Sequence, residues 1–429
     1  GNTVQYTTEK LPDASLMISP RMGFNWDINN DKTFQLRGGT GVFTGRPAYV
    51  WISNQIGNNG VLTGFERLDN TTARPFHPDQ AHYDPPASAI TGAPAASYAL
   101  ALTEDDFRFP QLWRSNVAVD KRVPWNMTGT AEFLYSRDVN GMYYINANLP
   151  APDGNFTGAD TRPRWNVDKC PTVSGNQFDR INCNVSNAIV LQNSDGGNAW
   201  NFSASLEKPF GLGTFVKAAY SYGVSKSYVD PGSIASGSWT GNQHSGDPNN
   251  PVLGYAATSP RHRLFGAAAK RINLFAIGPT TASLFWETRT IGSGSYIVSG
   301  DLNGDGGTGN DLIYIPRDAS EMNFQQYTSS GRTFTVAEQV AAWEAYIQQD
   351  EYLSSRRGQY AERGGVFLPM FNRADFSISQ DIERAIGGRR NALQLRLDFL
   401  NFGNLLNHRW GVSQRMVSTS PLVLGTPGA

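Results

Sequence analysis

Apolar and polar residues alternate with period two along much of this chain. From Leu16 the even positions carry Leu16, Ile18, Pro20, Met22, Phe24, Trp26 and Ile28, while the odd ones carry Met17, Ser19, Arg21, Gly23, Asn25 and Asp27. Asn29-Asn30-Asp31-Lys32 reads as a turn, after which Phe34, Leu36, Gly38, Thr40 and Val42 resume the pattern opposite Gln35, Arg37, Gly39 and Gly41. The spacing over 14–45 predicts a β-hairpin of two strands, each about 12 residues long. Strands of soluble proteins usually run about 5–6 residues, whereas about 9–11 tilted residues cross a bilayer. Length is therefore the first sign that the apolar face meets lipid.

The pattern recurs at 111–121, from 126, at 200–207, at 216–224, less regularly near 260–270, near 280–290, and at 374–379 and 393–399. This gives about ten strands. Their connections alternate between short turns and very long segments, the latter at about 46–110, 147–187, 229–258 and 292–371. Strands that enter and leave two compartments in turn produce that alternation, so the predicted fold is all-β: an antiparallel transmembrane β-barrel with long extracellular loops and short periplasmic turns. Arg37, Glu132, Glu207, Lys217, Glu287, Arg289, Arg396 and Asp398 would then face a wet lumen. The soluble alternatives, a β-sandwich or a β-solenoid, call for apolar inward faces and for loops that do not sort by length.

Composition narrows the class. Of 429 residues, 39% are hydrophobic and 17% charged, and no run approaches the roughly 20 apolar residues of a spanning helix. The 44 glycines and the 17 Tyr, 23 Phe and 10 Trp suit a barrel with many turns and aromatic girdles. A net charge of −1 argues against a nucleic-acid partner. Cys170 and Cys183, in a polar segment, are read as a surface disulfide formed in an oxidising compartment, with two free thiols as the alternative. The chain opens on Gly1 with no basic start and no apolar h-region, so it reads as a fragment.

Several runs resemble the C-terminal half of TonB-dependent outer-membrane receptors, particularly their Oar-like branch. They are Ser19-Pro20-Arg21-Met22-Gly23-Phe24, the glycine-rich run from Arg37 to Pro47, Trp51-Ile52-Ser53-Asn54-Gln55, Pro260-Arg261-His262-Arg263, Asn310-Asp311-Leu312-Ile313-Tyr314-Ile315-Pro316, the run from Arg357 to Arg363, and the run from Asp398 to Asn407. The resemblance spans nearly the whole chain. It implies a barrel of 22 strands, of which residues 1–429 would supply about 10–12, with the plug and the TonB-contacting box lying outside this sequence. It also implies outer-membrane lipid, the TonB complex and a nutrient ligand as partners.

Candidate chemistry is sparse. Asp301, Asn303 and Asp305 place oxygens at alternate positions and Gly306 permits a sharp turn, as in the first half of a Ca²⁺ loop. Leu312 stands where a bidentate Glu would be needed, so Asp311 is the candidate fourth ligand; the alternative is a polar turn held by Asx hydrogen bonds. Thr335-Val336-Ala337-Glu338 is a capping box, and Val336, Val340, Trp343 and Ile347 recur at helical spacing, predicting an amphipathic helix over about 336–353. Trp51, Tyr83, Trp165, Trp239 and Tyr296 are candidate ligand-facing aromatics because they lie in predicted loops. No G-x-S-x-G, P-loop or H-E-x-x-H motif occurs, so no enzyme class gains support. The reading that follows is a TonB-energised nutrient receptor; the competing one is a secreted or surface-bound structural or carbohydrate-binding β-protein.

Overall fold

Ten strands of the computed structural model form one continuous antiparallel wall. They are β1 (Arg21–Asp27), β2 (Phe34–Thr44), β3 (Gln111–Val123), β4 (Met127–Asn146), β5 (Asn198–Gly211), β6 (Thr214–Ser227), β7 (Arg261–Phe275), β8 (Gly278–Arg289), β9 (Phe371–Ile386) and β10 (Arg389–Phe399), and each pairs with its neighbour in sequence. The described residues are 5–59, 72–79, 81–84, 86, 98–166, 170, 180–211, 213–275, 277–386 and 389–425. Much of the first long connection, most of the segment between the two cysteines and the end of the chain lie outside them. Among the described residues β1 and β10 are the two edges of the wall.

Register carries the amphipathic pattern across the wall. Trp26 stands opposite Leu36, Leu36 opposite Val119, then Ala131, Ala204, Tyr220 and Leu264 in turn, so this row of one face is apolar from β1 to β7, with Thr288 following on β8. The next row runs Arg37, Ala118, Glu132, Ser203, Ser221, Arg263, Arg289 and belongs to the other face. Polar side chains of that face pair between strands, Arg37 with Asp120 at 2.7 Å, Lys217 with Glu207 at 2.8 Å and Arg263 with Glu287 at 2.9 Å, and along one strand, Arg373 with Asp375 at 2.8 Å. The apolar face is exposed, Met22, Phe24, Trp26, Phe133, Phe202, Leu284 and Leu397 among them. A face this apolar and this exposed needs a nonaqueous neighbour. Near the long-connection end it carries an aromatic belt, with Trp113 5.9 Å from Tyr135 and Trp200 5.4 Å from Tyr222.

One expectation needs correction. The first strand spans only Arg21–Asp27, not about 12 residues from Leu16. It is an edge strand with one partner, and Pro20, which has no N–H to give a ladder, marks its start, although its carbonyl still accepts from Val42 N at 2.9 Å. The less regular strand expected near 260–270 is present and runs for 15 residues. Its pattern reads as irregular because Phe265, Ala267 and Ala269 put apolar residues on the inward face as well.

The buried core is not in the wall. Almost all fully buried apolar residues lie in the long connections. A strand at Val185–Ser194 pairs antiparallel with the upper end of β4 and parallel with Tyr98–Thr103. Ile189 and Leu191 face one cluster, with Phe107, Tyr144, Trp165 and Trp239, while Val190 faces another, with Leu102 and Val185. A third cluster gathers Tyr296, Ile313, Ile315, Trp343, Ile347 and Leu353. Helix α1 (Tyr49–Gly57) lies in the first connection and α2 (Ala235–Thr240) in the third; α3 (Val336–Gln349) and α4 (Glu351–Ser354) lie in the fourth. The capping box is present as the sequence predicts: Thr335 Oγ1 accepts from Glu338 N and Glu338 accepts from Thr335 N. Asp350 divides the predicted 336–353 helix in two by capping α4 through Leu353 N. Among the described residues no helix is long and apolar enough to cross a membrane.

Candidate functional site

The long connections interlock into one canopy over one end of the wall. At its centre Arg162, whose side chain is fully buried, donates from Nε to Asp160, from one terminal nitrogen to Asp311 at 3.0 Å and from the other to the Leu312 carbonyl at 2.6 Å. The Tyr360 hydroxyl donates to Asp160 at 2.8 Å and accepts from Thr161 N, and Trp165 N donates to the Asn303 carbonyl. These bonds tie the second connection to the fourth. His244, from the third, places Nε2 3.0 Å from Asp305 and brackets Asn310 and Leu312 with its backbone. Arg363, also buried, bonds Asp230 at 3.0 Å and the Ser227 carbonyl. From the first connection Trp51 Nε1 donates to Gly232 O at 2.9 Å and Asn54 Nδ2 to Ser233 O at 2.8 Å.

The Asp-rich turn lies inside this lock. Asp301 accepts from Gly304 N and Gly306 N, Asn303 from Asp305 N, Asp305 from Gly307 N, and Asp311 from Leu302 N. Burial, with help from Asp305, pushes Asp301 up to about 7 and raises Asp311 as well. Burial acts most strongly on Asp305 and raises it, but the hydrogen bond and charge of His244, the Gly307 amide and Asn310 together outweigh burial and hold it below the usual carboxylate range. As arranged, the four candidate ligands do not fit a bound Ca²⁺. Their oxygens are engaged by amide donors, by His244 and by the cationic Arg162, and among the described residues no three Asp, Glu, His or Cys side chains converge on a common point.

The aromatic candidates also fall elsewhere. Trp165, Trp239 and Tyr296 are 4%, 3% and 5% exposed and fill the canopy cores instead of facing ligand. Each polar tip is satisfied internally, by Pro150 O, by Asn249 and by Asp350 respectively. Burial, with the Asp350 hydrogen bond, raises the Tyr296 hydroxyl far above its ordinary value. Trp51 packs against the first cluster, and Tyr83 closes its own loop by bonding Pro75 O at 2.7 Å. Cys170 and Cys183 are joined as a disulfide, with their Cα atoms 5.2 Å apart.

A cavity of about 320 Å³ opens where the upper ends of β4 and β6 meet the canopy. It is lined by Tyr143, Asn193, Ser194, Asp195, Tyr228, Asn249, Asn250 and Pro251. Asn193 and Asn249 are fixed: the first bonds Arg108 N, Arg108 O and Gly141 O, the second Asn146 N, Asn146 O and Trp239 Nε1. The rings of Tyr143 and Tyr228 stand 6.3 Å apart, inclined at 51°. Both tyrosines belong to wall strands or their immediate ends, so a search confined to loop aromatics passes over them. Their position at a strand's long-connection end is the signal that finds them.

A family model of the outer membrane beta barrel domain matches residues 5–420. The chain belongs to this family. The wall of this outer membrane barrel therefore sits in the outer membrane with its apolar face toward lipid, and the secreted β-protein alternative is set aside. Solved structures similar in fold include the outer membrane transporter YddB from Escherichia coli, at 10% identity and a TM-score of 0.44, covering 90% of this chain and 36% of that one. Others are a variant of the ferric enterobactin receptor PfeA from Pseudomonas aeruginosa (9% identity, TM-score 0.38, 90% and 34% covered) and the siderophore receptor PirA from Acinetobacter baumannii (9%, 0.38, 89% and 41%). The barrel chain thus spans about 34–41% of the length of these proteins. Among curated protein sequences none matches.

Proposed function

We propose that this outer membrane barrel is part of a TonB-energised receptor that captures a nutrient at its extracellular canopy and admits it through the lumen. The observation that carries the reading is the division of labour along the chain. A thin wall presents paired charges inward, while nearly all buried apolar mass is spent on a structured canopy at one end. A passive pore needs only the wall, and a preorganised canopy with a small-molecule-sized cavity suits selective capture. No step here calls for a catalytic group. The canopy would bind, and the hydrophilic inner face would hydrate the ligand in transit.

Uptake by cells expressing the intact protein tests this. Accumulation of its ligand should disappear in cells lacking TonB and in cells treated with a protonophore, while surface binding persists. Uptake that continues at the same rate in both would make the protein a passive pore and overturn the energised reading.

A further inference from the structure

We propose that the cavity between Tyr143 and Tyr228 binds a neutral saccharide, of mono- to disaccharide size. The inference rests on the receptor reading above and names its ligand class. At about 320 Å³ the cavity is at the small end of ligand pockets, which run about 300–1,000 Å³. Among the described residues no lysine or arginine lines it and Asp195 is its one carboxylate, which stands 3.5 Å from Arg137 at the surface. A free anion brought here would lose hydration against a lining that offers a carboxylate and whose neighbouring cation, Arg137, is already shared with that carboxylate, which is costly. A neutral polyol meets no such penalty.

The rest of the lining matches such a ligand atom type for atom type. Tyr143, Tyr228 and Ser194 bring hydroxyls to the lining, and the tyrosine rings, with Pro251, supply the apolar surface. A pyranose presents the same mixture, CH faces that stack on aromatic rings and hydroxyls that both donate and accept. The floor is preorganised, because Asn193 and Asn249 are each held by three bonds. Gly196 sets the Tyr228 wall: a Cβ there would stand 2.4 Å from the ring, so only glycine lets the ring lie against the β5 approach.

The test is direct binding to the intact protein in detergent micelles, which needs no transport. Maltose, cellobiose and lactose are titrated in parallel with galacturonate and inorganic phosphate, by saturation-transfer NMR. At least one neutral disaccharide should bind, and galacturonate and phosphate should not. Tyr143→Ala and Tyr228→Ala should each weaken binding about tenfold or more, as loss of an aromatic anchor does. Gly196→Ala, which displaces only the far end of the Tyr228 ring, should weaken it while heat-modifiable migration on gels stays that of the folded barrel. Absence of neutral-sugar binding by the folded protein, anion binding of equal strength, or sugar binding indifferent to all three substitutions would each overturn the proposal. Sugar binding in cells where uptake ignores TonB would uphold this site while sinking the energised reading.

Discussion

The ring of Phe24 lies across Gly38 on the outward face of the first hairpin: a Cβ at Gly38 would stand 2.9 Å from Phe24 Cε1 and 2.7 Å from the Asn116 carbonyl. The two residues are register partners, so an aromatic ring covers the backbone that its partner leaves bare. Phe24→Ala uncovers that backbone, and Phe24→Arg places a charge against lipid. The Arg variant should lose about 2–4 kcal/mol if the site lies near the midplane and less nearer the interface. Leu36→Arg, one pair nearer the short turn, should also destabilise, and Arg37→Ala, on the inward face, should cost less than either. Urea titration of barrels refolded into lipid vesicles measures all four, and equal losses for Leu36→Arg and Arg37→Ala would reverse the facing assignment.

Arg162 is the pin of the canopy, and its removal should be felt there and not in the wall. Arg162→Ala leaves Asp311 buried with its guanidinium partner gone, an arrangement that costs about 3–5 kcal/mol when one member of a buried pair is deleted. Arg162→Lys should rescue little, since one ammonium cannot reach Asp160, Asp311 and the Leu312 carbonyl in three directions. The expected outcome is faster amide exchange and protease cleavage in the second and fourth connections, with heat-modifiable migration of the barrel retained. Loss of the folded barrel itself would show that canopy and wall do not open separately.

The wall was legible because each of its strands has one wet and one lipid face, which writes period two into the sequence. Where both faces are alike the pattern fails. Ile189, Val190 and Leu191 are consecutive and all fully buried, so the strand at Val185–Ser194 carries no alternation and falls between the long segment at about 147–187 and the strand expected from 200. The capping box at Thr335 and the Cys170–Cys183 bridge are short-range features and could be read locally. Arg162 could not: its partner Asp311 is 149 residues away, and nothing around either residue announces a buried pair. The same distance explains the aromatics. Trp165 and Tyr296 carry the composition of ligand-facing loop residues, and only the packing of separate connections shows that they are core.

Calcium should do nothing for the canopy. A Ca²⁺ loop needs six to eight oxygens turned to one centre, and here the Asp301, Asp305 and Asp311 oxygens already receive amide, imidazole and guanidinium donors. Thermal unfolding of the loops, followed by near-ultraviolet circular dichroism, should be the same in excess Ca²⁺ and in chelator. A rise in the transition on adding Ca²⁺ would mean that the turn rearranges to free its carboxylates.

Asp301 should make canopy stability fall as pH rises. Its carboxyl moves from an ordinary 3.8 to about 7 in the folded protein, chiefly through burial and then through Asp305. Between those values the folded chain holds a proton that the unfolded chain has released, so unfolding is favoured progressively as the solution loses protons. The stabilisation is complete below about pH 4 and gone above about pH 7. Asp311, also raised, adds to the same slope, whereas Asp305, lowered, acts in the opposite sense at acid pH. Asp301→Asn removes the titration and keeps one acceptor for the Gly304 and Gly306 amides. The variant should therefore show a flatter profile between pH 4 and 7, with its deficit against the native chain greatest at the acid end. Amide exchange of residues 301–315, measured by mass spectrometry and corrected for intrinsic rate at each pH, provides the reading. Parallel profiles for the two proteins would show that Asp301 is ionised throughout this range in the folded canopy.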